Sequence, residues 1–160
     1  MTDKERYYAK LYKKANKILD DKTPLKKDCG LVCGKACCKG DENTGMLLFP
    51  FEKTNFKVKE NCGVRLAVCD GKCKRNNRPL SCKIFPFFPY VTPEGKIKVV
   101  PDVRGRSICP IVANYNEIKL DRGFLYRVKK LGRLLYADEL CRKFLEETSR
   151  EIDFINSITD

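Results

Sequence analysis

The chain has no histidine among its 160 residues. That removes imidazole as a metal ligand and as an acid or base working near neutral pH, so no Ser–His–Asp set can be assembled. No run of about 18 apolar residues occurs, so nothing in the sequence is built to cross a bilayer. There is no glycine-rich phosphate or nucleotide motif, no internal repeat and no low-complexity linker. The N-terminal stretch MTDKERYYAKLYKKANKILDD is charged and amphipathic, without the apolar centre and cleavage site of a secretory signal. These absences point to a cytoplasmic protein. Thiols stay reduced there, and clustered cysteines are metal ligands more often than disulfides.

What is present is sulfur and positive charge. Of ten cysteines, eight (Cys29, Cys33, Cys37, Cys38, Cys62, Cys69, Cys73 and Cys82) lie between positions 29 and 82, and Cys109 in RSICPIV is a ninth candidate ligand. The spacing runs Cys29-x3-Cys33-x3-Cys37-Cys38 and then Cys69-x3-Cys73-x8-Cys82. Short gaps let a turn aim two sulfurs at one cation while backbone amides bond to the sulfurs, and glycines supply the dihedrals such turns need. Without histidine, any metal must be held by thiolates, helped at most by carboxylates. Such soft donors select zinc, iron–sulfur clusters or Cu(I). Four thiolates satisfy tetrahedral Zn2+ or a [4Fe–4S] cluster.

The gaps match neither a zinc ribbon nor a ferredoxin run. The first three cysteines differ from a radical-SAM triad by one residue, and the chain is too short for the barrel that chemistry uses. The pattern therefore leans to an iron–sulfur cluster, with Zn2+ the alternative. Sequence neighbours such as Cys37 and Cys38 usually point apart. A first site is accordingly expected from Cys33, Cys37 or Cys38, Cys73 and Cys82, with Cys109 as an alternate, and the spare thiols would suit a multi-iron cluster or a second site.

The formal net charge is +12, and the cations are spread from end to end without a dense block. Most of them read as a solvated surface. Lys35, Lys39, Lys72, Lys74, Arg75 and Arg78 sit beside thiols, where cations favour the ligating thiolate. A basic surface also suits an acidic protein or a nucleic acid, and Arg75, Arg78, Lys83, Phe85 and Phe88 form a candidate nucleic-acid face. The sequence sets no oligomeric state.

The pattern predicts a single α+β domain over 1–160: a small Cys-rich β/loop metal-binding core over about 28–110, flanked by an N-terminal helix and a C-terminal helical hairpin. Tyr8, Leu11, Ala15 and Ile18 or Leu19 recur at helical spacing over 4–20, and Thr23-Pro24 ends that helix. Residues 28–45 read as a turn-rich loop with Gly30, Gly34, Gly40 and Gly45, followed by a strand at 46–50. FKVKE and VRLAV alternate with period two, and Asp70-Gly71 marks a turn. Pro86 and Pro89 exclude a helix and a central ladder position. PYVTPEGKIKVVP reads as a hairpin turning at Pro93-Glu94-Gly95. Phe85, Phe87, Phe88 and Tyr90 are expected in the local core, with shielding of a metal site as the other role open to them. The part from 117 to 158 is helical, with Phe124, Val128, Leu131 and Leu135 on one face, Cys141 a buried core cysteine and Gly132 a candidate break.

The stretches CGLVCGKACC, GMLLFPFE and GKCKRNNRPLSCKIFPFFP together resemble the zinc- or iron-chelating domain family described by a CxxCxxCC motif. That domain is related to the N-terminal part of flagellin lysine-N-methylase-like proteins. The resemblance covers about residues 29–110, with Lys83 where the family usually carries arginine. It implies metal chelation by Cys29, Cys33, Cys37, Cys38, Cys62, Cys69, Cys73 and Cys82, and Cys109-Pro110 resembles a later Cys-Pro of longer relatives. It implies no settled reaction. The function expected is thiolate-based metal binding, with the metal mainly organising the fold. An iron–sulfur redox or methyltransferase-related accessory enzyme is one alternative, and a basic nucleic-acid-binding module is the other.

Overall fold

The computed structural model describes residues 1–38 and 45–159. The fold is α+β, with helices at both ends and two small antiparallel sheets between them. Helix α1 (Asp3–Leu19) starts at a capping box, in which Thr2 accepts from Glu5 N–H and the Glu5 carboxylate accepts from Thr2 N–H. It stops at Asp20, four residues before Pro24, where φ turns positive. Among the described residues of the expected 28–45 loop the chain makes a short helix, α2 (Gly30–Cys33), and a 3-10 turn over Ala36–Cys38. Lys39 and Gly40 lie outside the described residues.

The first sheet has the order β1-β3-β2, from β1 (Met46–Leu47), β2 (Lys57–Asn61) and β3 (Val64–Val68). The strand expected over 46–50 is thus shorter, because the chain turns at Pro50 to carry Phe49 into the core. Cys62 and Gly63, both at positive φ, form the two-residue turn between β2 and β3. Helix α3 (Leu80–Ile84) leads into a two-stranded ribbon of β4 (Phe87–Val91) and β5 (Ile97–Pro101). Pro89 sits inside β4 without breaking the ladder. Val91 N–H points away from β5 to Ser149 Oγ at 2.9 Å, so Pro89, two residues earlier, also faces its nitrogen away from β5.

A short helix α4 (Pro110–Ala113) precedes α5 (Arg122–Tyr136) and α6 (Glu139–Thr159). The long helical region therefore begins at 122 rather than 117. Gly132 is not a break. It lies in the middle of α5, and a Cβ there would come within 2.5 Å of Pro89 Cβ and 2.9 Å of Ile97 Cγ2. The glycine lets α5 press directly onto the ribbon, and the chain turns at Ala137-Asp138 instead.

The core lies where α1, α5 and α6 pack around the β4–β5 ribbon. Ala15, Leu19, Phe124, Val128, Leu131, Leu135 and Leu145 are fully buried, with Phe87 and Phe88 beside them. Polar pins hold its edges. Tyr8 OH donates to Asp138 at 3.1 Å, and Asp138 in turn accepts from Cys141 N–H at 2.9 Å, capping α6. Cys141 is fully buried, its sulfur 3.5 Å from the Tyr12 hydroxyl. That hydroxyl donates to the Pro50 carbonyl, and the Cys141 thiol lies between it and the Asp138 carboxylate. No helix among the described residues is long and apolar enough to cross a membrane.

Candidate metal centre

All ten cysteines are free thiols, and eight of them line one cavity: Cys29, Cys33, Cys37, Cys38, Cys69, Cys73, Cys82 and Cys109. They arrive from four stretches of chain. Cys29 precedes α2 and Cys33 ends it, while Cys37 and Cys38 lie in the following 3-10 turn. Cys69 and Cys73 sit in the loop that leaves β3, Cys82 is on α3, and Cys109 immediately precedes α4. The cavity has a volume of about 60 Å³, several times the roughly 10–15 Å³ that one water-sized sphere needs. Its remaining wall includes Met46, Phe56, Ala67, Phe85 and Ile108.

Cys62 stands apart. It is exposed at the β2–β3 turn, its thiol donating to Asn61 Oδ1 at 3.3 Å. Cys69 leaves the opposite end of β3, so strand rise separates the two by roughly 20 Å. The nine expected ligand positions thus become eight at the cavity and one at a hairpin tip. Sequence spacing does not reveal this, because a cysteine at a tight turn looks the same on paper whichever way the strand runs.

Local chemistry explains how the loops aim their sulfurs. Gly71, at φ +85°, bends the chain after Cys69 so that its N–H donates to Cys69 Sγ at 3.4 Å. Arg78 Nε donates to Cys73 Sγ at 3.2 Å. Burial and then the Cys73 contact push Cys69 above the ordinary thiol range. Cys37 and Cys38 shift each other's protonation in opposite directions: the contact raises Cys37 and lowers Cys38, with Arg78 and Lys35 adding to the effect on Cys38. Burial lifts Cys82 to about 12 and also raises Cys29.

Two guanidiniums share this wall. Burial and the neighbouring Arg78 charge lower the Arg75 pKa, while Cys29 and Asp28 oppose that shift. Burial works against the Arg78 charge too, but Cys73, Cys38 and Cys82 more than offset it. One Arg75 amino group is anchored on the Lys22 carbonyl, yet its Nε is buried without a hydrogen-bond partner. Two cations side by side, one with an orphaned donor, make the cavity a place for negative charge.

The expected nucleic-acid face does not form. Lys83 and Phe88 are buried, and Arg75 and Arg78 line the thiol cavity. Lys83 Nζ instead donates to Asn16 Oδ1 and to the Asn76 carbonyl. Phe87 and Phe88 are in the core, but Phe85 and Tyr90 are not fully buried. Tyr90 turns its hydroxyl out to donate to Asp153 at 2.9 Å, and Phe85 is half-buried on the cavity wall, with Gly105 lying against its ring.

Glu52 is a residue that sequence reasoning passed over. It is only 4% exposed, and its carboxylate accepts from Leu80 N–H at 2.6 Å and Phe49 N–H at 3.1 Å. The FPFE stretch is thereby tied to the first turn of α3, which carries Cys82. An acidic residue two positions after Phe-Pro was the available signal, but only its burial gives it meaning.

The eight sulfurs line the walls and do not meet at a point. Among the described residues, no three histidine, cysteine, aspartate or glutamate side chains converge closely enough to hold an ion. The expected first shell of Cys33, Cys37 or Cys38, Cys73 and Cys82 is gathered to one cavity but not closed into a tetrahedron. No family model, curated protein or solved structure matches this chain.

Proposed function

We propose that the protein binds metal through thiolates at this cavity, and that the metal's main effect is to hold the Cys-rich half together. The observation that carries the reading is the gathering of eight of ten cysteines, from four separate stretches of chain, around one small cavity. Thiols this crowded oxidise or cross-link readily, and sharing a cation is the arrangement that makes them useful. The donor set suits Zn2+ or an iron–sulfur cluster, both of which take four sulfurs per site. Cys38, Cys69, Cys73 and Cys82 are the ligands we assign first. They interact electrostatically with one another, and Arg78 faces three of them.

Such a metal neutralises several thiolates at once and crosslinks the loops that carry them. Arg78 and Arg75 balance the negative charge left over, and the orphaned Arg75 Nε gains an acceptor when sulfur carries charge. Phe85 and Met46 limit water access from their side. The motif resemblance supports the same reading through the cysteines it shares with the chelating family.

Elemental analysis and a UV–visible spectrum of protein prepared without oxygen test this directly. Zinc or iron near whole-number stoichiometry is expected, and an absorption band near roughly 400 nm marks a cluster rather than zinc. C73S and C82S should lose metal, whereas C62S should keep it. Protein that carries no metal and takes up neither zinc nor iron would overturn the proposal.

A further inference from the structure

A second feature is independent of the thiols. Helices α1 and α5 pack side by side, and a groove of about 740 Å³ runs along their outer edge. Lys14, Lys17, Lys22, Tyr126, Arg127 and Lys130 line it, so it carries five cations and no carboxylate. The two helices reinforce each other. From Lys10 to Leu19, α1 holds four lysines and no acid, and all fifteen residues of α5 hold five cations and no acid. Lys14, Lys17 and Lys130 are exposed, and among the described residues none is paired with a carboxylate. Arg127 is anchored differently, donating to the Ile18 carbonyl at the end of α1 at 2.8 Å, which fixes the spacing of the two walls. A second depression, bounded by Lys26, Lys27 and Lys119 with Asp121 beside them, begins three residues beyond Lys22.

We propose that this groove binds the phosphate backbone of a single-stranded nucleic acid. Apolar faces drive α1 and α5 together and bring like charges to a common edge, an arrangement that a polyanion stabilises and water only screens. Tyr126 is 65% exposed on the rim and offers a ring on which a base can stack. A recessed cationic channel with one aromatic fits a flexible strand. A duplex asks for an element that protrudes into a groove. A lipid surface fits less well, because both helices turn their apolar faces inward against each other rather than outward.

The test is fluorescence anisotropy of the full chain with a labelled oligouridylate of roughly 12 nucleotides, over a salt series. With three to five phosphates neutralised, log affinity should fall against log salt with a slope of about −2 to −3.5, and K14Q/K130Q should flatten that slope by about 1.4. Y126A should weaken binding about tenfold. The control pair K96Q/K98Q, on the β4–β5 hairpin outside the groove, should leave affinity within about twofold at fixed salt, and circular dichroism should show every variant folded. Absence of oligonucleotide binding at low salt overturns the proposal. So does an equal loss in the control pair, or binding confined to vesicles of anionic lipid. The C73S and C82S variants should bind the oligonucleotide as the parent does, which separates this inference from the metal proposal.

Discussion

The helical half and the cysteine half of this molecule are held together by different means. The first packs Phe124, Val128, Leu131, Leu135 and Leu145, all fully buried, against α1 and the β4–β5 ribbon. The second, over the described residues between Cys29 and about Phe85, consists of turns, two-to-five-residue elements and a three-stranded sheet whose outer strand β2 is largely exposed. Where one half has aliphatic side chains converging, the other has thiols and two guanidiniums around a cavity. A domain can combine the two because polar bonds cross between them, Lys83 Nζ donating to Asn16 on α1 and Tyr12 OH of α1 to the Pro50 carbonyl. The lesson is that short segments with few aliphatic residues keep a defined arrangement only when something other than apolar burial supplies the cohesion.

That contrast can be broken first by removing the proposed metal. Binding of a structural ion is worth on the order of 10 kcal/mol. Strong chelator should therefore abolish amide-exchange protection over 46–85 while the far-UV helical signal persists. Loss of both signals together would mean the halves are one cooperative unit. Phe124→Ala attacks the other half. Emptying a fully buried aromatic site should cost about 3–5 kcal/mol in denaturant unfolding, with metal content per folded molecule unchanged.

Smaller changes sharpen the comparison at its seams. Gly132→Ala drives a methyl into Pro89 and Ile97, an overpacking cost of about 1–3 kcal/mol. That exceeds the gain in helix propensity of about 1 kcal/mol, so a net fall in stability is expected by urea titration. A neutral or stabilised variant would show that α5 can move off the ribbon. Glu52→Leu leaves the N–H groups of Leu80 and Phe49 without their acceptor, a loss of about 1–3 kcal/mol. Because Glu52 orients the turn that carries Cys82, metal retention should fall in the same variant.

Acid should separate the halves in order. Burial opposes the Asp138 charge, but the Cys141 N–H and the Tyr8 hydroxyl more than compensate and hold its pKa below the ordinary 3.8. The stability it contributes is present above that value and is lost only as pH falls through its lower folded pKa. Cys82, raised to about 12, and Cys69 and Cys29, also raised, give up their protons reluctantly, so metal competes with protons far above that range. A pH titration followed by metal release and by helical signal should therefore show release first and helix loss later.

Much of this architecture is legible in local pattern. Helical periodicity placed α1 to within a residue or so at each end and identified the buried stripe of α5, because those signals depend on neighbours three and four residues away. The hairpin at Pro93-Glu94-Gly95, the core role of Phe87 and Phe88, the burial of Cys141 and the clustering of thiols were readable for the same reason. Packing over long sequence distances decided the rest. It set Cys62 at a hairpin tip and Cys109 at the cavity, made Gly132 a contact point rather than a break, and turned Arg75 and Arg78 toward sulfur. It also gathered lysines scattered along the chain into one groove between α1 and α5. A sequence carries spacing along the chain, but which thiols and which charges end up facing each other depends on how helices and strands pack, and that information is spread over the whole core.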